Sequence, residues 1–327
     1  MREVTFTQAQ REAFDEELAR DPNVFIIGED IGEHWGGPMG QFQGLFAKYG
    51  PERILETPIS ETAIMGAAIG AAATGMRPIA AMMFVDFLGV AGDELLNQLQ
   101  MRYMYGGKVR LPITILASIG AGVSAAAQHS KSLFGWLMAI KGLKIVAPSN
   151  PYDAKGLLKA AIRDDNPVAY LTHKRLGGRR TAPIPDEEYL VPLGQADIKR
   201  EGKDVTVVAT AFMVSQALAA AETLAAEGIS LEVIDPRTLV PLDTETILAS
   251  VRKTGRLVII SEEPRTGSWA AEVAATVAEE AFDYLDAPIR RVCAPDTPVP
   301  FAPVLERFWM PDAERLVATV RQLLQTS

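Results

Sequence analysis

Short apolar runs alternate with helix-like stretches along almost the whole of this 327-residue chain, and that alternation predicts parallel β-sheets covered by helices. Val24 to Gly28 is wholly apolar and ends in Gly28-Glu29-Asp30, so it reads as a buried strand running into a polar loop. Residues 78–85, 112–118, 143–147 and 168–172 read as further strands. Residues 63–74 read as a small-residue helix. Residues 93–105 predict an amphipathic helix with Leu95, Leu96, Leu99 and Tyr103 on one face. Ser149-Asn150-Pro151 has the chemistry of a helix start, a capping side chain followed by a proline whose missing N–H is not needed.

Residues 176–194 change character. Gly177-Gly178-Arg179-Arg180, Pro183, Pro185 and Pro192 around Asp186-Glu187-Glu188 predict a surface linker without regular structure. A second run then predicts strands at 205–210, 231–234, 257–261 and 289–292, with helices at 212–227, 243–253 and 268–282. A last helix at 312–324 is capped by Asp312. The expectation is an α/β chain of two domains, residues 1–175 and 195–327, joined by 176–194.

Composition narrows the function. Lys plus Arg is 32 against 41 for Asp plus Glu, a net charge of −9, which argues against nucleic acid and against anionic membranes as partners. The single cysteine, Cys293, forbids an internal disulfide and fits a reducing, cytoplasmic setting. With only three histidines, a His/Cys zinc site is nearly excluded. The first residues lack a signal peptide's apolar core. The long uncharged stretch 111–128 is broken by Pro112, Gly120 and Gly122, so it does not read as a span. Neither a P-loop nor a G-x-S-x-G elbow occurs.

Three features could carry chemistry. Gly120-Ala121-Gly122-Val123-Ser124-Ala125 follows a strand and has dinucleotide-fingerprint spacing, but the next strand ends in Ala147-Pro148-Ser149 without the ribose-binding acid. A tight turn at a buried interface explains it equally. Glu61 precedes the small-residue helix; it is either favourable charge at a helix N-terminus or a carboxyl at the mouth of a strand–helix crevice, suited to proton exchange with a heterocycle nitrogen. His129, after three alanines and a glycine-rich loop, is either a structural histidine or one facing substrate. His34 and His173 read as structural.

Larger motifs then combine. Glu56-Thr57-Pro58-Ile59-Ser60-Glu61, Met83-Phe84-Val85-Asp86-Phe87, Ala126-Ala127-Gln128-His129-Ser130 and Gly142-Leu143-Lys144-Ile145-Val146 occur in order, followed by Pro151-Tyr152-Asp153-Ala154-Lys155-Gly156, Asp235-Pro236-Arg237-Thr238 and Pro298-Val299-Pro300-Phe301. With these the chain resembles, over nearly its whole length, the β subunits of thiamine-diphosphate-dependent 2-oxo acid dehydrogenases. Met83 to Phe87, Arg102 to Lys108 and His173-Lys174 resemble the acetoin-dehydrogenase β chains in particular.

The resemblance implies a transketolase-like pyrimidine-binding domain and a smaller transketolase C-terminal domain. It implies cleavage of acetoin or decarboxylation of a 2-oxo acid such as pyruvate, with the acyl unit passed to a lipoyl group. Glu61 is then the acid on the aminopyrimidine ring nitrogen, Ile59, Met83 and Phe87 line the pyrimidine pocket, and His129 assists acyl transfer. A structural potassium ion is implied at the main-chain oxygens of Ile113, Ala161 and Ile162 with Asp164 and Asn166. The G-D-G signature that holds magnesium and diphosphate is not matched by Gly92-Asp93-Glu94. The resemblance therefore implies that Mg2+ is held mainly by an α subunit, in a heterotetramer of two α and two β chains that works with a lipoyl acyltransferase core. One chain of a split transketolase, or a non-catalytic α/β interaction subunit, are the alternatives.

Overall fold

A computed structural model describes residues 1–178 and 181–325 of the chain; Arg179 and Arg180 of the expected linker lie outside the described residues. Two compact units emerge, residues 1–119 with 137–193, and residues 120–136 with 194–327.

In the first unit, parallel strands run in the order Lys144–Val146, Val168–His173, Thr114–Ile119, Arg77–Phe84, Val24–Gly28, Ile54–Glu56. Thr114–Ile119 and Val168–His173 are buried at every position, as strands covered on both faces must be. From Val24–Gly28 the chain moves out to Ile54–Glu56 at one edge, then returns past it to Arg77–Phe84. The C-terminal ends of these three strands therefore flank a switch point, where open α/β sheets bind ligands. Gly28 permits the close approach there, since a Cβ would sit 2.6 Å from the Ala81 carbonyl oxygen.

Helices Phe6–Arg20 and Pro151–Arg163 pack beside this sheet. Thr5 and Gln8 form a reciprocal capping box on the first. On the second, Asn150 caps and Pro151 takes the first turn, as expected; the Asn150 carboxamide oxygen accepts from the Asp153 N–H at 2.9 Å. Buried Lys155, Lys159 and Glu17 each meet a half-buried partner between them: Lys155 bonds Glu12 and Glu16, Lys159 bonds Glu16, and Arg163 bonds Glu17. Such pairs add little net stability, but removing one partner strands the other charge in the interior.

Two local expectations are corrected. Residues 93–105 do not form one helix: they break into Gly92–Leu96, a 3-10 turn at Gln98–Gln100, and Met101–Met104. Asn97 caps the first piece, its N–H still bonded to the Asp93 carbonyl at 2.8 Å, and the Asn97 and Gln98 side-chain amides donate to the Asp93 carboxylate. The expected linker is not wholly irregular either. Thr181–Ile184 pairs antiparallel with Arg2–Thr5, and a two-stranded ribbon tolerates Pro183 because only one edge of each strand is paired.

The second unit carries parallel strands in the order Arg290–Ala294, Leu257–Pro264, Val205–Ala209, Leu231–Asp235, with Asp197–Arg200 antiparallel at the edge. Helices Phe212–Ala225, Thr244–Thr254, Trp269–Glu280 and Ala313–Gln325 accompany it. Asp243 and Asp312 cap two of them, accepting from the N–H groups of Thr246 and Arg315. Leu316, Val317, Val320 and Leu323 bury one face of the last helix. Among the described residues no helix is long and apolar enough to cross a membrane.

Candidate active site

The switch point of the first unit gathers most of the residues singled out from sequence. Glu61 opens the helix Glu61–Ala73 and Ile59 lies two residues ahead of it, 79% exposed. Met83 is the penultimate residue of the strand Arg77–Phe84 and Phe87 sits in the 3-10 turn Val85–Gly89; both are half-buried. Two hydrogen bonds lock these segments together. The Thr57 N–H donates to the Gly28 carbonyl at 2.9 Å, and the Thr62 hydroxyl to the Val90 carbonyl at 3.1 Å. Phe87 stands edge-on to Phe84, with ring centroids 5.6 Å apart, and the Lys174 ammonium lies 4.7 Å from the centroid of the Phe84 ring.

Glu29 is a functional candidate that the sequence reading missed. It follows directly on the buried strand Val24–Gly28, is 7% exposed, and its Oε2 has no hydrogen-bond partner among the described residues. Burial first, then the charges of Glu61 and Asp30, holds its carboxyl above the usual range. An acid placed immediately after a fully apolar strand was the available signal. The rim thus carries two carboxyl groups close enough to feel each other, and burial with that repulsion holds the Glu29 carboxyl above its ordinary range.

His129 belongs to the other unit. It sits in a 3-10 turn, Ala127–His129, half-buried, on the loop Gly120–Trp136 that packs with the C-terminal fold. That loop takes left-handed backbone at Ser124 (φ 56°), Ala126 (φ 60°) and Leu133 (φ 53°), each costing about 1–2 kcal/mol for a residue with a side chain. Carboxylates of the same unit hold it. Glu306 accepts from the Gly122 N–H at 2.8 Å, the Ser124 N–H at 2.9 Å and the Ser124 hydroxyl at 3.2 Å. Glu262 accepts from the Ala121 N–H, and Glu263 from the N–H groups of Gly135 and Trp269.

These bonds dispose of the dinucleotide reading of Gly120 to Ala125. No helix opens after Gly122, and the amides that would cradle a pyrophosphate are already occupied by Glu262 and Glu306. The other histidines differ in exposure. His173 is 2% exposed and its Nδ1 accepts from the Arg175 N–H, while His34 is exposed.

The residues expected to hold a cation lie at the end of helix Pro151–Arg163 and before the strands Thr114–Ile119 and Val168–His173, where the carbonyls of Ile113 and Ala161 accept from the N–H groups of Val168 and Asp164. Burial opposes ionisation of Asp164, yet the Lys144 ammonium at 2.5 Å and the Asn166 N–H groups keep its carboxyl below the usual range. Arg77 donates to the carbonyls of Ile162 and Asp164. With that carboxylate engaged, a cation here would rely on main-chain carbonyls, each of which has a second lone pair to offer.

Comparison with known proteins decides the family. The transketolase pyrimidine binding domain matches residues 2–179 and the transketolase C-terminal domain residues 194–316. The chain is 49% identical to the acetoin:2,6-dichlorophenolindophenol oxidoreductase subunit beta of Cupriavidus necator, over 99% of this chain and 98% of that one. It belongs to the β-subunit family of the acetoin and 2-oxo acid dehydrogenases. Two further relatives agree. The 2-oxoisovalerate dehydrogenase subunit beta of Bacillus subtilis is 42% identical over 98% of this β chain and 99% of its own length. The mitochondrial pyruvate dehydrogenase E1 component subunit beta of Dictyostelium discoideum is 44% identical over 99% and 92%. Among solved structures, a split gene transketolase described as an inactive beta4 tetramer matches with a TM-score of 0.81 at 27% identity, covering 98% of each chain.

The family depends on thiamine diphosphate, and the β chain fits half of that cofactor. An aminopyrimidine needs a carboxyl partner on an apolar rim, which Glu61 with Ile59, Met83 and Phe87 can provide. The buried, unpartnered Oε2 of Glu29 adds hydrogen-bonding capacity beside it. A magnesium diphosphate needs free donors and a ligand cluster. The loop amides are taken, and among the described residues no group of three or more His, Cys, Asp or Glu is placed to hold a metal ion.

Proposed function

We propose that this β chain supplies the pyrimidine-binding half of a thiamine diphosphate site completed by an α subunit. The assembled enzyme cleaves acetoin, with pyruvate the next candidate, and passes the two-carbon acyl unit to a lipoyl group. The observation that carries the reading is Glu61 on the first turn of its helix beside buried Glu29, at the C-terminal ends of neighbouring strands. Acetoin is favoured by the higher identity to the Cupriavidus chain, 49% against 42% and 44% for the 2-oxo acid relatives.

When bound, thiamine diphosphate supplies a carbon nucleophile and an electron sink for the bond cleavage. Glu61 hydrogen-bonds the aminopyrimidine ring nitrogen and shares its proton there. Burial and the charges of Glu61 and Asp30 hold the neighbouring Glu29 carboxyl above its usual range, so it is a weaker acid than a free carboxyl beside that proton. Ile59, Met83 and Phe87 keep water off the ring, and His129 steadies charge or moves a proton during acyl transfer.

Magnesium and diphosphate fall to the α subunit, in a heterotetramer of two α and two β chains served by a lipoyl acyltransferase core. Exposed Ile59, Val90, Tyr103, Met104 and Tyr105 in the first unit support a partner chain, since a soluble monomer seldom displays so much apolar surface. The reading includes a cytoplasmic location, and a structural potassium ion on the main-chain oxygens of Ile113, Ala161 and Ile162 with Asp164 and Asn166.

Co-expression with an α chain tests the reading. Turnover of acetoin, pyruvate and branched-chain 2-oxo acids is measured in parallel with an artificial electron acceptor, thiamine diphosphate and magnesium. Acetoin should turn over fastest, and only when both chains are present. Full activity from the β chain alone would refute the shared site. A split transketolase is the second reading, supported by the structural neighbour of that name; ketol transfer between sugar phosphates without any lipoyl acceptor would select it.

A further inference from the structure

The loop that carries His129 is held in an unusual way. Its flanks, strand Thr114–Ile119 and helix Phe134–Met138, begin and end against the first unit's sequence, yet the loop itself packs with the C-terminal unit. A cavity of about 240 Å³ lies against it, with Lys131 and Leu133 on the loop's side and Glu263, Pro298, Val299 and Trp309 opposite. Apolar packing therefore cannot set the loop's path on that face, and three non-glycine residues hold left-handed backbone along it. Strained backbone persists only where surrounding contacts over-determine it.

The Glu306 side chain supplies those contacts on the arm leading to His129. It is 3% exposed, and its two oxygens take the N–H groups of Gly122 and Ser124 and the Ser124 hydroxyl. Bonds from N–H groups to a carboxylate are the stronger kind. The Gly120 N–H closes the far side of the loop on the Lys131 carbonyl at 2.9 Å. His129 lies between the two tethered arms.

We propose that Glu306 is a positioning residue for His129: its carboxylate fixes residues 122–124 and so sets where the imidazole is presented for acyl transfer. Glu306 acts through the loop, touching neither cofactor nor substrate. The proposal rests on the reading of His129 as the acyl-transfer histidine.

The test uses the co-expressed complex with thiamine diphosphate and magnesium, and compares Glu306→Ala, Glu306→Gln, His129→Ala and the double variant Glu306→Ala/His129→Ala. Two rates are read: reduction of an artificial electron acceptor, and acylation of a lipoyl domain. Glu306→Ala should slow lipoyl acylation about 30-fold or more while dye reduction falls far less. Glu306→Gln keeps one acceptor oxygen and should recover only part of the loss, still acylating several-fold more slowly than wild type. The double variant should acylate no more slowly than His129→Ala, because both changes act on one group. Wild-type acylation by Glu306→Ala, or losses that multiply in the double variant, would overturn the positioning role. If Glu306→Ala does not assemble with the α chain, Glu306→Gln decides alone: a drop confined to dye reduction, or no drop at all, rejects the proposal. Wild-type acylation by His129→Ala instead brings down the underlying reading of His129, a result distinct from a failure at Glu306.

Discussion

The rim around Glu61 and the loop around His129 are built on opposite plans. At the rim, Ile59 is 79% exposed, Glu61 is half-buried, and the neighbouring Glu29 carries a buried oxygen without a hydrogen-bond partner among the described residues. At the loop, the carboxylates of Glu262, Glu306 and Glu263 take the N–H groups of Ala121, Gly122, Ser124 and Gly135. The first arrangement has hydrogen-bonding capacity left over for a ligand. The second uses its capacity up on itself. On the proposed reading, Glu61 meets a cofactor ring and must leave its chemistry available, whereas His129 meets a mobile acyl carrier and needs a fixed platform. The two plans predict different responses to mutation: chemical at the rim, structural at the loop.

The largest expected effect is at the rim. Glu61→Gln keeps size and hydrogen bonding but removes the exchangeable carboxyl proton, so turnover by the assembled complex should fall at least about 10³-fold, within the range for losing a general acid–base group. Because Glu61 sits on the surface of its unit, subunit assembly and thermal midpoint should stay close to wild type. Wild-type turnover would remove Glu61 from the chemistry, and a collapse of the midpoint would make it structural, erasing the contrast.

At the loop the next effect is on stability and depends on pH. Burial, opposed by hydrogen bonds from Gly135 and Trp269, pushes Glu263 up from 4.5 to about 7. The folded protein therefore binds that proton more tightly than the unfolded chain does. The resulting stabilisation is complete below about pH 4.5 and is lost as pH rises through 7, roughly 3 kcal/mol across that window. The thermal midpoint of wild type should decline from pH 5 to 8 more steeply than that of Glu263→Gln, which has no such proton. Parallel profiles would show that the buried carboxyl is not coupled to folding.

Gly135→Ala gives a smaller loss by a different route. An added Cβ would lie 1.9 Å from the Gly267 carbonyl oxygen, a main-chain atom that cannot swing aside. Overpacking of this kind costs about 2 kcal/mol, visible as a midpoint lowered by a few degrees. The rim residues should keep their behaviour, so pyrimidine-analogue binding should change less than stability.

These contrasts also explain what could be read from the chain alone. The α/β class followed from strand–helix alternation, and Asn150-Pro151 marked a helix start because capping is a local event. Glu61 was legible as an acid at a helix N-terminus. Glu29 was missed because a strand's last apolar residue draws attention away from the acid after it. Glu306 could not be read at all: it lies 182 residues from Ser124 in sequence, and no local pattern links a carboxylate to amides that far away. The same distance misled the reading of Gly120 to Ala125, whose spacing suits an external anion until an internal one fills it. Asp93 to Tyr105 failed because its amphipathic pattern continues across the interruptions at Asn97 and Gln100 and does not mark them.

The smallest expected effect is also the finest test of the loop's plan. Ser124→Gly relieves a left-handed backbone at φ 56°, a gain of about 1 kcal/mol or more. It also deletes the hydroxyl bond to Glu306 at 3.2 Å, a loss of about 1 kcal/mol, and it adds freedom to the unfolded chain, a further loss of several tenths of a kcal/mol. The terms nearly cancel, so the thermal midpoint should move by less than about 2 °C. The two N–H bonds to Glu306 survive, so lipoyl acylation should fall no more than about threefold, well short of the Glu306→Ala loss. A large drop in acylation with an unchanged midpoint would mean that the Ser124 hydroxyl, rather than the backbone amides, aims His129.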